Sequence, residues 1–194
     1  MSENILRFAQ RCALALLLTS GLCALPAKAA VLSFNPATTS TAVGATTSVD
    51  VRIGGLGGTL DLAAFDLNVL FDASKLSFSS YTLGGSLGDT TLLEAFDFSA
   101  GKLAVGVLNL AEVSFLSDLG AQTDGFVLAT LNFTALRHGV STLSFGAVTL
   151  SDAFGDPLTA SATSAAVSAI PEPGSAYLVL TAFILLGLMR RARK

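Results

Sequence analysis

The sequence predicts an all-β, two-sheet sandwich, and three observations point to it. Residues alternate apolar and polar with a period of two along several stretches. Glycines, often in pairs, punctuate those stretches. No run outside the two chain ends carries a sustained helical period. In "TSVDVRI", Val49, Val51 and Ile53 share one face, with Ser48, Asp50 and Arg52 on the other. In "FDLNVLFD", Phe65, Leu67, Val69 and Phe71 oppose Asp66, Asn68, Leu70 and Asp72. "VLATLNFTA" places Val127, Ala129, Leu131, Phe133 and Ala135 inward. Gly54-Gly55, Gly57-Gly58, Gly84-Gly85, Gly101, Gly139 and Gly155 mark turns. "EAFDFSAGKLAVGVL" reads as a hairpin closed by Ser99-Ala100-Gly101. "SFGAVTL" and "LTASATSAAVSA" supply the last strands. "AEVSFLSDL", Ala111 to Leu119, is the one stretch expected to form a helical turn.

The two ends have a different character. Arg7 and Arg11 precede the apolar run "CALALLLTSGLCAL", and Ala27-Lys28-Ala29 follows it as an A-x-A cleavage pattern. Residues 1–29 are thus expected to be a signal peptide cut after Ala29 or Ala30. Both cysteines, Cys12 and Cys23, leave with it, so the mature chain has no thiol and no disulfide. About 140 residues then stand on their core alone, enough for one domain. Between Ala30 and Ile170 the bases are Arg52, Lys75, Lys102 and Arg137, four against twelve acids, a net of −8 where the whole chain shows −3. Such a domain repels phosphate backbones, which argues against nucleic acid as a partner.

At the far end, Ala176 to Met189 is an apolar segment of 14 residues. As a helix it would cover ~21 Å, against a hydrocarbon core of ~30 Å. A transmembrane helix of about 174–189 is expected. Arg190, Arg191, Arg193 and Lys194 would stay cytoplasmic, which leaves the preceding domain outside. A short terminal anchor suits a temporary hold. Pro171-Glu172-Pro173, this segment and the terminal arginines together resemble the PEP-CTERM sorting signal of Gram-negative bacteria, covering residues 170–194. The resemblance implies an exosortase, a membrane-embedded cysteine transpeptidase, as partner. That enzyme would cut near the Pro-Glu-Pro, then release the protein or pass it to the surface after a transient stay in the inner membrane. The prolines disfavour helix and keep this stretch extended and open to an enzyme.

A second resemblance covers the middle, roughly Val31 to Val167. "AFDLNVLFDASKLSF", in which Asp72 turns the chain before Leu76 starts the next strand, and the late "LATLNFTA" are similar to a cohesin domain. The likeness implies a nine-stranded jelly-roll sandwich over residues 30–169. Cohesins hold dockerin modules, and the architecture is related to some carbohydrate-binding modules. Exopolysaccharide or another surface protein is the partner class this suggests.

Catalytic chemistry is sparse. His138, in the turn "LRHG", is the only histidine and lacks the partners of a triad. No Walker loop or cofactor motif occurs. The acids fall on polar strand faces or in turns, and no catalytic pair stands out. Neither a cofactor nor a catalytic residue is assigned. Tyr81 is the only tyrosine before the anchor and there is no tryptophan, a poor platform for sugar rings. Loop acids are the remaining candidates. Asp152 and Asp156 flank the glycine turn of "SDAFGDP", and Asp118 and Asp124 lie in "SDLGAQTDG". Oxygen ligands in a loop suit calcium, but neither segment has the acid ladder of an EF-hand. The expected function is that of a non-enzymatic exported surface or matrix protein. The alternative is a carbohydrate- or protein-binding module.

Overall fold

The computed structural model describes residues 29–58 and 60–171. They form twelve strands, β1 (Ala30–Asn35), β2 (Thr38–Ala42), β3 (Thr46–Gly54), β4 (Ala64–Leu70), β5 (Leu76–Leu83), β6 (Ala95–Asp97), β7 (Gly101–Ala104), β8 (Val107–Ser114), β9 (Phe126–Ala135), β10 (Gly139–Ser151), β11 (Ala160–Ala162) and β12 (Ala165–Ile170). One sheet has the order β11-β1-β3-β9-β5, and the other runs β2-β12-β10-β4-β8-β6, with β7 also paired to β8. The chain changes sheets between β1 and β2 and again between β11 and β12, so each end of the domain is tied into both layers.

The count of twelve exceeds the nine implied by the resemblance because single edge runs are broken into short pieces. β6 and β7 show this. Both lie along the same side of β8, with Asp97 opposite Glu112 and Gly101 opposite Asn109. The expected hairpin at Ser99-Ala100-Gly101 is therefore corrected. That stretch is a jog held onto β8, where the Ser99 hydroxyl accepts from Ala111 N at 2.9 Å and Ala100 N donates to Asn109 Oδ1 at 3.0 Å. The hairpin turn is Val105-Gly106, between β7 and β8. Gly106 has φ +74°, and a β-carbon there would stand 2.6 Å from the Phe71 carbonyl oxygen. Only glycine fits both demands.

The alternation predicted for β3 and β4 is realised. Val49, Val51, Ile53, Phe65, Leu67, Val69 and Phe71 are all buried. In β9 the phase breaks once. Val51 pairs with Ala129 but Arg52 with Val127, so Leu128 is an extra residue, a bulge. Phe126 and Leu128 are buried on one side of it and Ala129, Leu131, Phe133 and Ala135 on the other. Val127, expected inward, is only partly buried.

The helical turn expected over 111–119 is also corrected. Ala111 to Ser114 complete β8, pairing with β4 and β6, and a loop follows. Two flanking strands satisfy the backbone there, which outweighs any local preference for a turn. The core joins the layers through Phe133, whose ring meets Phe71 at 5.2 Å and Phe78 at 6.1 Å. Asp72 turns the chain as expected. Its Oδ1 accepts from Ser74 N at 2.9 Å, its carbonyl accepts from Leu76 N at 2.9 Å, and Lys75 Nζ lies 2.7 Å from Oδ2. These bonds hold the Asp72 carboxyl at about 2, below the usual range, with Lys75 the main cause.

Candidate functional site

The outer face of the second sheet, over β10, β4, β8 and β6, groups unburied apolar and polar side chains with a common direction. β4 sends Phe65, Leu67 and Val69 into the core, so Asp66 and Asn68 point out. β8 in register places Asn109 opposite Asn68 and Ala111 opposite Asp66. The Asn109 amide donates to Asp66 Oδ1 at 2.7 Å and to Asn68 Oδ1 at 3.1 Å. Asp66 is thus not merely solvated, as its position on a polar face implied. It is one end of a fixed polar ladder. Beside that ladder lies a hollow of about 200 Å³ lined by Ala64, Asp66, Phe98, Ala111, Val113 and Thr149.

Phe98, which lines the hollow, belongs to a cluster of three phenylalanines. Phe96 sits opposite Val113 on the outward side of β6. Its ring centroid is 6.5 Å from that of Phe98 and 5.0 Å from that of Phe115. Phe98 and Phe115 are 62% and 63% exposed, and neighbouring Leu92 and Leu93 are exposed as well. Grouped exposed rings of this kind mark an interaction surface more often than chance. Sequence reasoning missed them by treating phenylalanine as core. The signal was present in "EAFDF", which puts Phe96 and Phe98 two residues apart, within a short strand and just after it.

The inner side of the same edge is acidic. Tyr81, from β5 of the other sheet, donates its hydroxyl to Asp97 Oδ2 at 2.8 Å, and Ser99 N donates to Asp97 Oδ1 at 2.8 Å. Partial burial, then the Asp97 carboxylate, raises the phenol above its usual range. A cleft of about 640 Å³ opens here, with Tyr81, Asp89, Glu94 and Asp97 among its lining residues. Glu112, directly opposite Asp97, is fully buried with neither carboxylate oxygen hydrogen-bonded. Burial, and secondarily the charge of Asp97, pushes its carboxyl up to about 7. This residue too escaped the sequence reading, although it keeps the inward phase of Leu108 and Leu110 in "VLNLAEV".

The other residues singled out in sequence scatter. His138 is exposed in the turn between β9 and β10. Asp152 and Asp156 come together in one loop. Asp152 Oδ1 accepts from Phe154 N at 2.8 Å and from Asp156 N at 2.9 Å, and Asp152 N donates to the Asp156 carbonyl at 3.0 Å. Asp118 caps Gly120 N at 2.8 Å, and Asp124 accepts from Gly57 N beyond the end of β3. Among the described residues no group of three or more His, Cys, Asp or Glu is placed to hold a metal ion. Ala29 and Pro171 stand at the ends of the described region. Ala27, Glu172, Pro173, Arg190, Arg191 and Arg193 lie outside it, as do the apolar segment and most of the signal peptide. Among the described residues no helix is long and apolar enough to cross a membrane.

With this geometry in hand, the chain was compared with known proteins. None of the curated proteins matches it. Among solved structures it is similar to the sixth cohesin of scaffoldin B from Acetivibrio cellulolyticus, solved in complex with a mutant Cel5 dockerin. The identity is 24% over 73% of this chain and 99% of that one, with a TM-score of 0.61. It is similar to the cohesin module of a Clostridium perfringens family 33 glycoside hydrolase, at 15% identity over 74% and 97% of the two chains and a TM-score of 0.58. A non-cellulosomal cohesin from the archaeon Archaeoglobus fulgidus matches at 8% identity over 77% and 96%, also with a TM-score of 0.58. These likenesses carry the fold. The family model for the cohesin domain matches residues 32–169, most of the chain, and the protein therefore belongs to the cohesin domain family.

Proposed function

We propose that this protein is a non-enzymatic, surface-displayed binding module whose outer β10-β4-β8-β6 face receives a partner protein of the dockerin type. The observation that carries the reading is the Phe96–Phe98–Phe115 cluster beside the Asp66–Asn109–Asn68 ladder. Buried aromatic anchors next to fixed polar groups are the usual energetic centre of a protein interface. The similar cohesin of Acetivibrio cellulolyticus was solved holding a dockerin, which supports the same partner class here.

The ends supply the address. Residues 1–29 act as the signal peptide and residues 30–169 as the module. Residues 170–194 hold it briefly in the inner membrane, with the C-terminus cytoplasmic, until an exosortase cuts at Pro171-Glu172-Pro173. The module then reaches the cell surface or the surrounding polymer. Titration calorimetry with purified dockerin modules, and with exopolysaccharide as a second arm, tests the binding. Heat with a dockerin that vanishes in Phe98→Ala supports the reading. Binding only to polysaccharide replaces the partner with a carbohydrate. Mass spectrometry of the exported product tests the sorting, and an intact Arg193-Lys194 end at the surface sinks it.

A further inference from the structure

We propose that the buried carboxyl of Glu112, set directly opposite Asp97, controls how firmly β6, and with it the aromatic patch, is held on the edge of the sandwich. Residues directly opposite in an antiparallel pair project to the same side of the sheet. Asp97 and Glu112 are such a pair, Glu112 fully buried and Asp97 on the same side of the sheet at its exposed edge. The cross-strand neighbours of Glu112 are Asp97 from β6 and the apolar Phe65 from β4, while Tyr81 of β5 reaches the pair through Asp97. None of these supplies a positive charge. Among the described residues the one ion pair is Lys75 with Asp72, elsewhere in the fold.

Two adjoining carboxyl groups without a counter-charge resist carrying two negative charges at once. The Tyr81 hydroxyl and Ser99 N both donate to Asp97. Glu112 has no donor and is sealed from solvent, so it keeps the proton. When that proton leaves, the repulsion acts on the element least able to resist it. β6 is three residues long and pairs only with β8. Phe96 lies within it and Phe98 directly follows, tied to β8 by its own N–H to Ala111 O at 2.9 Å. Loss of the proton loosens β6 and displaces both rings. If the outer face is the docking surface proposed above, partners then bind more tightly in acid than in mild alkali.

The test uses the full chain and no partner, so its failure and that of the docking reading are distinguishable. Glu112 is followed by carboxyl ¹³C NMR across pH, and amide-exchange protection of Ala95 to Phe98 is measured at about pH 5.5 and about pH 8.5. Glu112 should titrate near neutrality. Protection of Phe98 N should fall by about tenfold or more between the two conditions. Glu112→Gln, which cannot ionise, should hold β6 protected at both. Asp97→Asn should lower the Glu112 midpoint but leave it above the ordinary carboxylate value, because burial, the larger cause, remains. A wild-type Glu112 that titrates as an ordinary carboxylate overturns the proposal. So does a pH-dependent loss of β6 protection that persists in Glu112→Gln. Should that variant fail to fold, the wild-type titration and the Asp97→Asn midpoint still decide.

Discussion

Tyr81 reaches from β5 across the open edge of the sandwich and hydrogen-bonds Asp97 of β6 at 2.8 Å, linking an edge strand of one sheet to an edge strand of the other. Removing the hydroxyl in Tyr81→Phe should cost about 0.5–1.5 kcal/mol, the net worth of a typical hydrogen bond, because this one is exposed. Denaturant melts of the two proteins measure it. An unchanged midpoint would mean that solvent replaces the bond without loss.

Phe71 is 9% exposed and packs edge-on against the fully buried Phe133. Phe71→Ala should destabilise by ~3–5 kcal/mol. Asp66→Ala removes an acceptor of Asn109 at an exposed site and should cost about 1 kcal/mol. Chemical denaturation that ranks Asp66→Ala above Phe71→Ala would overturn the face assignment of β4.

Glu112 sets a pH dependence whose sign is fixed. Its carboxyl is raised from 4.5 to about 7 in the folded state, so the folded protein holds a proton that the unfolded chain releases. Stability is full below the unfolded value and declines as pH rises from 4.5 to about 7, then levels. Glu112→Gln should flatten this window. Melts at a series of pH values read the slope, and a stability that rises through the same window in wild type would reverse the argument.

Phe98 is an exposed ring beside the Asp66 ladder. Phe98→Ala should leave the melting transition within about 0.5 kcal/mol of wild type while weakening a dockerin-type partner by at least about tenfold, the loss of one interface anchor. Calorimetry and melts on the same samples separate the two effects.

Asp152 spends Oδ1 on two backbone N–H groups of its own loop. We predict no calcium-specific rise in melting temperature over Mg²⁺ or NaCl of equal ionic strength. A specific rise that Asp152→Asn with Asp156→Asn abolishes would instead make the loop a calcium site, worth ~2.7 kcal/mol at a hundred times Kd.

The sequence by itself determined the fold class, because a period of two is a local property of the chain. Phe65, Leu67 and Val69 declare their common face within five residues, and the Asp72 turn needs only its neighbours Ser74 and Lys75. The expectations for the two ends also rest on contiguous residues. The tertiary structure decided what depends on distant partners. Leu128 became a bulge only against β3, and Ala111 to Ser114 became strand only between β4 and β6. Phe96, Phe98 and Phe115 look like core residues in one dimension. They form a surface cluster because β6 lies at a sheet edge, where one face has no second layer to cover it. Asp97 and Glu112 stand fifteen positions apart among the twelve acids between Ala30 and Ile170, and only the register of β6 on β8 sets them opposite one another, with Glu112 sealed from water and Asp97 at the open edge.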